Sequence, residues 1–122
     1  MKAFKIAYIT EQLDLNAIEA EKFWPIYNEF GSKIEALRKE SRSNIFEKIK
    51  GENINNLSEA EANVIINDIT LMKDKELQYR KDLLNELKSI IPSIKILKLE
   101  RAEDNFKKKL LKRLKKHREK RE

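Results

Sequence analysis

Apolar residues in this chain recur at alternating steps of three and four over two long stretches. Ala20, Phe23, Tyr27, Phe30, Ile34, Leu37 and Ser41 form one seam, and Ala62, Ile65, Ile69, Met72, Glu76, Tyr79 and Leu83 form a second. Heptad spacing keeps one stripe of a helix turned toward a partner for turn after turn, whereas a strand would need a period of two. Only two Gly and two Pro occur in 122 residues, too few for a turn-rich β architecture. A 39% share of charged residues beside 40% hydrophobic ones suits long amphipathic helices. The expected class is all-α.

The elements follow from where each stripe begins and stops. Lys2 to Leu13 carries Phe4, then Ala7 or Tyr8, then Gln12 or Leu13 at helical spacing, which predicts a short first helix. The first seam predicts a long helix that continues through Ile45 and Ile49 and ends at Gly51, a residue free to take the left-handed conformation. Pro25 lies inside it. Because the seam stays in phase across that proline, a bend near residues 21–25 is expected rather than a break. The polar stretch Gly51 to Leu57 reads as a loop. The second seam, widened by Leu84, Leu87, Ile90 and Ile91, predicts a long helix up to Pro92, and Ile96, Leu99, Ala102 or Glu103, Phe106, Leu110 and Leu114 predict a last one.

Two helix starts share a local grammar. Leu15, Asn16 and Glu19 read Leu-Asn-x-x-Glu, and Leu57, Ser58 and Glu61 read Leu-Ser-x-x-Glu 42 residues later. Asn or Ser can accept a bond from the exposed amide three residues on, the Glu can reach back to the cap's own amide, and the Leu can pack on the first turn. Any two long helices can begin this way. Between the caps stands a rarer run, Phe23-Trp24-Pro25-Ile26-Tyr27-Asn28-Glu29-Phe30. Phe23, Tyr27 and Phe30 lie on the seam and read as core; Trp24 is one step off it and either covers the short first helix or lines an exposed groove.

These caps, the Phe-Trp-Pro-x-Tyr-Asn-Glu-Phe run and the opening Ile6-Ala7-Tyr8-Ile9-Thr10-Glu11 together resemble the Spy/CpxP-like (LTxxQ) family of periplasmic stress proteins, in the branch described as sensors of extracytoplasmic-function sigma factors. The resemblance extends over nearly the whole chain. Asn16 stands where that motif has Thr, and Glu19 and Glu61 stand where it has Gln, replacements that keep the capping chemistry. The resemblance implies an exported, non-enzymatic protein, periplasmic by way of a signal peptide that this chain lacks. It also implies a homodimer of thin helical hairpins that binds unfolded clients or a membrane-bound signalling protein, with Phe23, Trp24, Pro25, Tyr27 and Phe30 as a possible client groove.

The net charge of +6 is unevenly spread. Residues 107–122 hold ten Lys/Arg against Glu119 and Glu122, a local +8 that leaves −2 for the rest. Lys107, Lys108, Lys109, Lys112, Arg113, Lys115, Lys116 and Arg118 form the basic patch, read either as a solvated terminal helix favoured by its dipole or as an anion-binding surface. Anionic lipid or nucleic acid would be attracted. With no aromatic residue after Phe106, base stacking has no support in the linear order, and nucleic-acid partners are not expected.

Cysteine is absent and His117 is the one histidine, so no thiolate or His-rich metal site is expected. Without a Ser/His/Asp set, a Gly-rich phosphate loop or a His pair, no catalytic residues and no cofactor are expected either. No apolar run approaches the ~20 residues that span a bilayer. The expected architecture is a single domain over 1–122, with 107–122 as its basic helix end. Its four helices, one short and three long, would form an elongated antiparallel hairpin that pairs with a second copy. The competing class is an intracellular nucleic-acid-associated helical protein that uses the basic end.

Overall fold

The computed structural model describes the backbone of residues 2–121 and the side chains of residues 4–116. Among the described residues the fold is all-α, with no strand. The order is α1 (Lys2–Leu13), α2 (Ala17–Ser41), a π-helical turn (Arg42–Phe46), α3 (Glu47–Ile49), a 3-10 stretch (Gly51–Asn56), α4 (Glu59–Leu87) and α5 (Ser93–Arg121).

Five α segments replace the expected four because the second predicted helix is interrupted without being broken. Ser41, Phe46 and Glu47 all keep right-handed helical dihedrals, and the Glu47 amide donates to the Arg42 carbonyl five residues back. The cause is legible in the spacing. Up to Ser41 the seam steps by three and four, but Leu37, Ser41, Ile45 and Ile49 step by four each time. Repeated steps of four carry a stripe around an α-helix, and one wide turn absorbs the surplus residue. Leu37, Ser41 and Ile45 are accordingly all buried. The buried Ser41 hydroxyl donates to the Leu37 carbonyl at 2.9 Å.

The helical path ends where Lys50 becomes extended and Gly51 takes φ +55°. Residues 51–56, expected to be an open loop, wind instead into 3-10 turns. Asn53 holds them in place, its amide donating to the Lys50 carbonyl at 3.1 Å and its side chain to the Glu47 carbonyl at 3.3 Å. Through Pro25, α2 runs unbroken.

The chain divides into two compact units. The first comprises Met1–Trp24 and Leu87–Glu122. Here α1 lies antiparallel on α5: Phe4 and Tyr8 approach Phe106 at 5.7 and 5.9 Å between ring centroids, while Tyr8 also meets Lys109 and Phe4 meets Arg113. Ile9, Leu13, Phe23, Leu87 and Leu99 are fully enclosed. Ile9 was outside the stripe expected for α1.

The first helix stops in a Schellman arrangement. Asp14 takes φ 52°, its amide donates to the Glu11 carbonyl at 3.2 Å, and the Leu15 amide reaches the Thr10 carbonyl at 3.4 Å. Asp tolerates this left-handed conformation better than most residues.

The second unit, Pro25–Glu86, is a helical hairpin. Arg38 pairs with Glu76, Lys33 sits over the Tyr79 ring and Arg80 over the Phe30 ring, so positions rise along α2 as they fall along α4. Tyr27, Leu37, Ile45, Ile65 and Leu83 are its buried apolar residues. Both heptad seams thus face inward. No described helix is long and apolar enough to cross a membrane.

Candidate functional site

The two helix starts are closed by reciprocal bonds. The Glu19 amide donates to Asn16 Oδ1 at 2.8 Å and the Asn16 amide to Glu19 Oε1 at 3.1 Å. At the second start, the Glu61 amide donates to Ser58 Oγ and the Ser58 amide to Glu61 Oε1, both at 3.1 Å. The first cap has a further role that its sequence does not reveal. Lys95 of α5 donates from Nζ to Glu19 Oε1 at 2.6 Å and to the Asp14 carbonyl at 2.8 Å, tying the start of α5 to the α1–α2 turn. The Lys95 and Glu19 side chains are only 20% and 13% exposed.

These bonds set the charge state of both carboxyls. The Lys95 ammonium first, and then the Asn16 amide, hold Glu19 below the usual carboxylate range. The Ser58 amide and then its hydroxyl do the same for Glu61, with Lys48 adding a smaller charge effect. A carboxylate held ionised in this way is an acceptor that orders a helix end and is poorly suited to donate a proton near neutral pH. Among the described residues no group of three or more His, Asp or Glu is placed to hold a metal ion.

The aromatic run is divided in its roles. Phe23 and Tyr27 are buried, Trp24 and Phe30 are half-buried, and Pro25 is exposed. Phe23 meets Trp24 edge to face at 4.9 Å and 88°, a favoured aromatic geometry. Phe30 lines a cleft with Lys33, Tyr79 and Asp82 whose free volume is about 30 Å³, room for little more than a water molecule.

Larger concavities lie farther along the hairpin of the second unit. A groove of about 350 Å³ runs beside the π turn, with Ile45, Leu71 and Met72 on its apolar side and Lys48, Asp68 and Lys75 among its charged groups. A second, of about 500 Å³, is lined by Leu57, Val64 and Ile65 together with Lys48, Asn56 and Glu61. Lys48 belongs to both. Val64 and Leu71 are 54% and 58% exposed although both are large and apolar. Asn44 and Ile45 of the π turn line the first groove, whereas the second is edged by Lys48 and the 3-10 stretch.

At the basic end, Lys107, Lys108, Lys109, Lys112, Arg113, Lys115 and Lys116 are exposed. Lys108 pairs with Asp104 at 3.0 Å. The side chains of Arg118 and His117 lie outside the described residues. Although no aromatic residue follows Phe106 in the sequence, the fold supplies two from α1: Lys109 sits 4.8 Å from the Tyr8 ring centroid and Arg113 5.0 Å from that of Phe4. Antiparallel pairing of the two helices brings together residues more than a hundred positions apart in sequence.

No family model, curated protein or solved structure matches the chain.

Proposed function

We propose that this chain is a non-enzymatic, exported envelope-stress protein that binds unfolded polypeptides or a membrane-bound signalling partner, and that it works as a homodimer. The observation that supports this reading is the pair of grooves along the hairpin of the second unit, where exposed Val64 and Leu71 alternate with Lys48, Asp68 and Lys75. An unfolded segment offers apolar side chains and scattered charges together. A surface of mixed character gains from burying the first while keeping the second hydrated. The resemblance to Spy/CpxP-like stress proteins supports the same reading.

Nucleic-acid association is the second reading, favoured by the seven exposed cations of residues 107–116. The two separate by experiment. Client binding predicts that the protein suppresses aggregation of a chemically unfolded model protein without ATP, that most of this activity survives removal of residues 115–122, and that Val64→Glu with Leu71→Glu abolishes it. Sedimentation equilibrium should give a mass near twice 14.5 kDa. Absence of suppression, together with duplex-DNA binding that falls steeply with salt and disappears with the tail, would establish the second reading instead.

A further inference from the structure

We propose that the end of the first unit formed by Phe4 of α1 and residues 106–116 of α5 is a docking face for an anionic lipid bilayer. The inference is independent of client binding, which uses the other unit.

Charge is the first ground. Residues 107–116 contain seven Lys/Arg and no Asp or Glu, and all seven are exposed. Charge alone would serve any polyanion. The second ground is what lies among the cations. Leu111 and Leu114 are 58% and 60% exposed, and Phe4 on the antiparallel α1 is 44% exposed. At ~100° per residue, Leu110, Leu111 and Leu114 fall within about 100° of arc with Lys107 between them, while Lys108, Lys112, Lys115 and Lys116 occupy the other side. A helix with a leucine face and a lysine face suits the boundary between headgroups and acyl chains, where long lysine side chains can reach back to the phosphates.

The third ground is a shallow apolar depression of about 260 Å³ between Phe4, Phe106 and Leu110, rimmed by Lys109, Lys112 and Arg113. Its floor accepts hydrocarbon and its rim accepts an anionic headgroup. Cations already stacked on Tyr8 and Phe4 are held at the level of that rim.

The same features disfavour the other occupants. Duplex DNA presents phosphate to the cations but leaves Leu111 and Leu114 in water. A second copy seated on this face would bring fourteen like charges together, twice the seven on each chain. An anionic bilayer satisfies both halves of the surface, with each Lys/Arg near it favourable and screened by salt.

The test is flotation of the full chain with vesicles of phosphatidylcholine alone and of phosphatidylcholine mixed with phosphatidylglycerol. Binding is expected on the mixed vesicles only. Lys112→Gln with Lys115→Gln should weaken it on the order of thirtyfold, and Leu111→Ser with Leu114→Ser on the order of tenfold. Circular dichroism should remain unchanged in both, since all four side chains are exposed. No binding to mixed vesicles overturns the proposal. So does binding that ignores the leucine pair, or tight duplex-DNA binding without vesicle binding. A dimer dissociated by the leucine variants would assign the face to a second copy.

Discussion

Leu97 and Leu99 stand two residues apart on α5 and differ sharply in surroundings. Leu99 is fully enclosed, whereas Leu97 is 66% exposed. Leu99→Ala removes three carbon groups from the core of the first unit, worth about 2.4 kcal/mol in lost transfer free energy at ~0.8 kcal/mol each. The void left behind adds to that. The expected loss is about 3 kcal/mol, within the 2–5 kcal/mol range typical of buried leucines. Leu97→Ala gives up little burial and keeps a good helix former, so its expected effect is below about 0.5 kcal/mol. Trp24 is the one tryptophan and lies in the same unit, edge-on to Phe23, so its fluorescence reports unfolding where Leu99 is packed. With a urea slope of ~1–3 kcal/mol per molar, Leu99→Ala should lower the midpoint by roughly 1–3 M while Leu97→Ala leaves it nearly in place. Equal midpoints for the two variants, or a larger drop for Leu97→Ala, would refute the assignment of the α5 face that packs inward.

Asn16→Ala and Ser58→Ala should each cost about 0.5–2 kcal/mol, because each orphans an amide that the cap now satisfies, and Asp at either position should restore most of the loss; chemical denaturation is the measurement. Acid should destabilise the protein in a defined direction. Glu19 and Glu61 are held below their ordinary pKa in the folded chain, so their contribution is complete above the unfolded carboxyl value of about 4.3 and is lost as pH falls through the lowered folded values. Lys95→Met removes the larger of the two influences on Glu19. Melting temperatures across this acid range should then fall less steeply for Lys95→Met than for the parent, and an unchanged slope would disprove the role of the 2.6 Å pair.

Much of the fold is written in local spacing. The inward faces of α2 and α4 follow the two seams, from Phe23 to Ser41 and from Ile65 to Leu83, because a stripe of apolar side chains at heptad steps has one way to leave water. The reciprocal caps at Asn16 and Ser58 are equally local, since every atom in them lies within four residues. Gly51 terminates a helix for the same reason: its left-handed conformation depends on its own missing side chain. Even the π turn has a local signal in the four-residue steps after Leu37, although it takes the buried positions of Ser41 and Ile45 to show which way the surplus residue was accommodated.

What tertiary structure decided are the meetings between distant segments. Nothing in the neighbourhood of Glu19 announces that Lys95 will share its carboxylate, and nothing after Phe106 announces that Phe4 and Tyr8 will lie under Arg113 and Lys109. Ile9 rather than Phe4 fills the core side of α1, because the packing against α5 selects the buried flank and twelve residues of spacing leave two flanks nearly equal. Helical periodicity is a property of each segment alone. Which flank is covered, which cation finds an aromatic ring and where a groove opens depend on a partner helix, and the choice of partner is made by the whole chain.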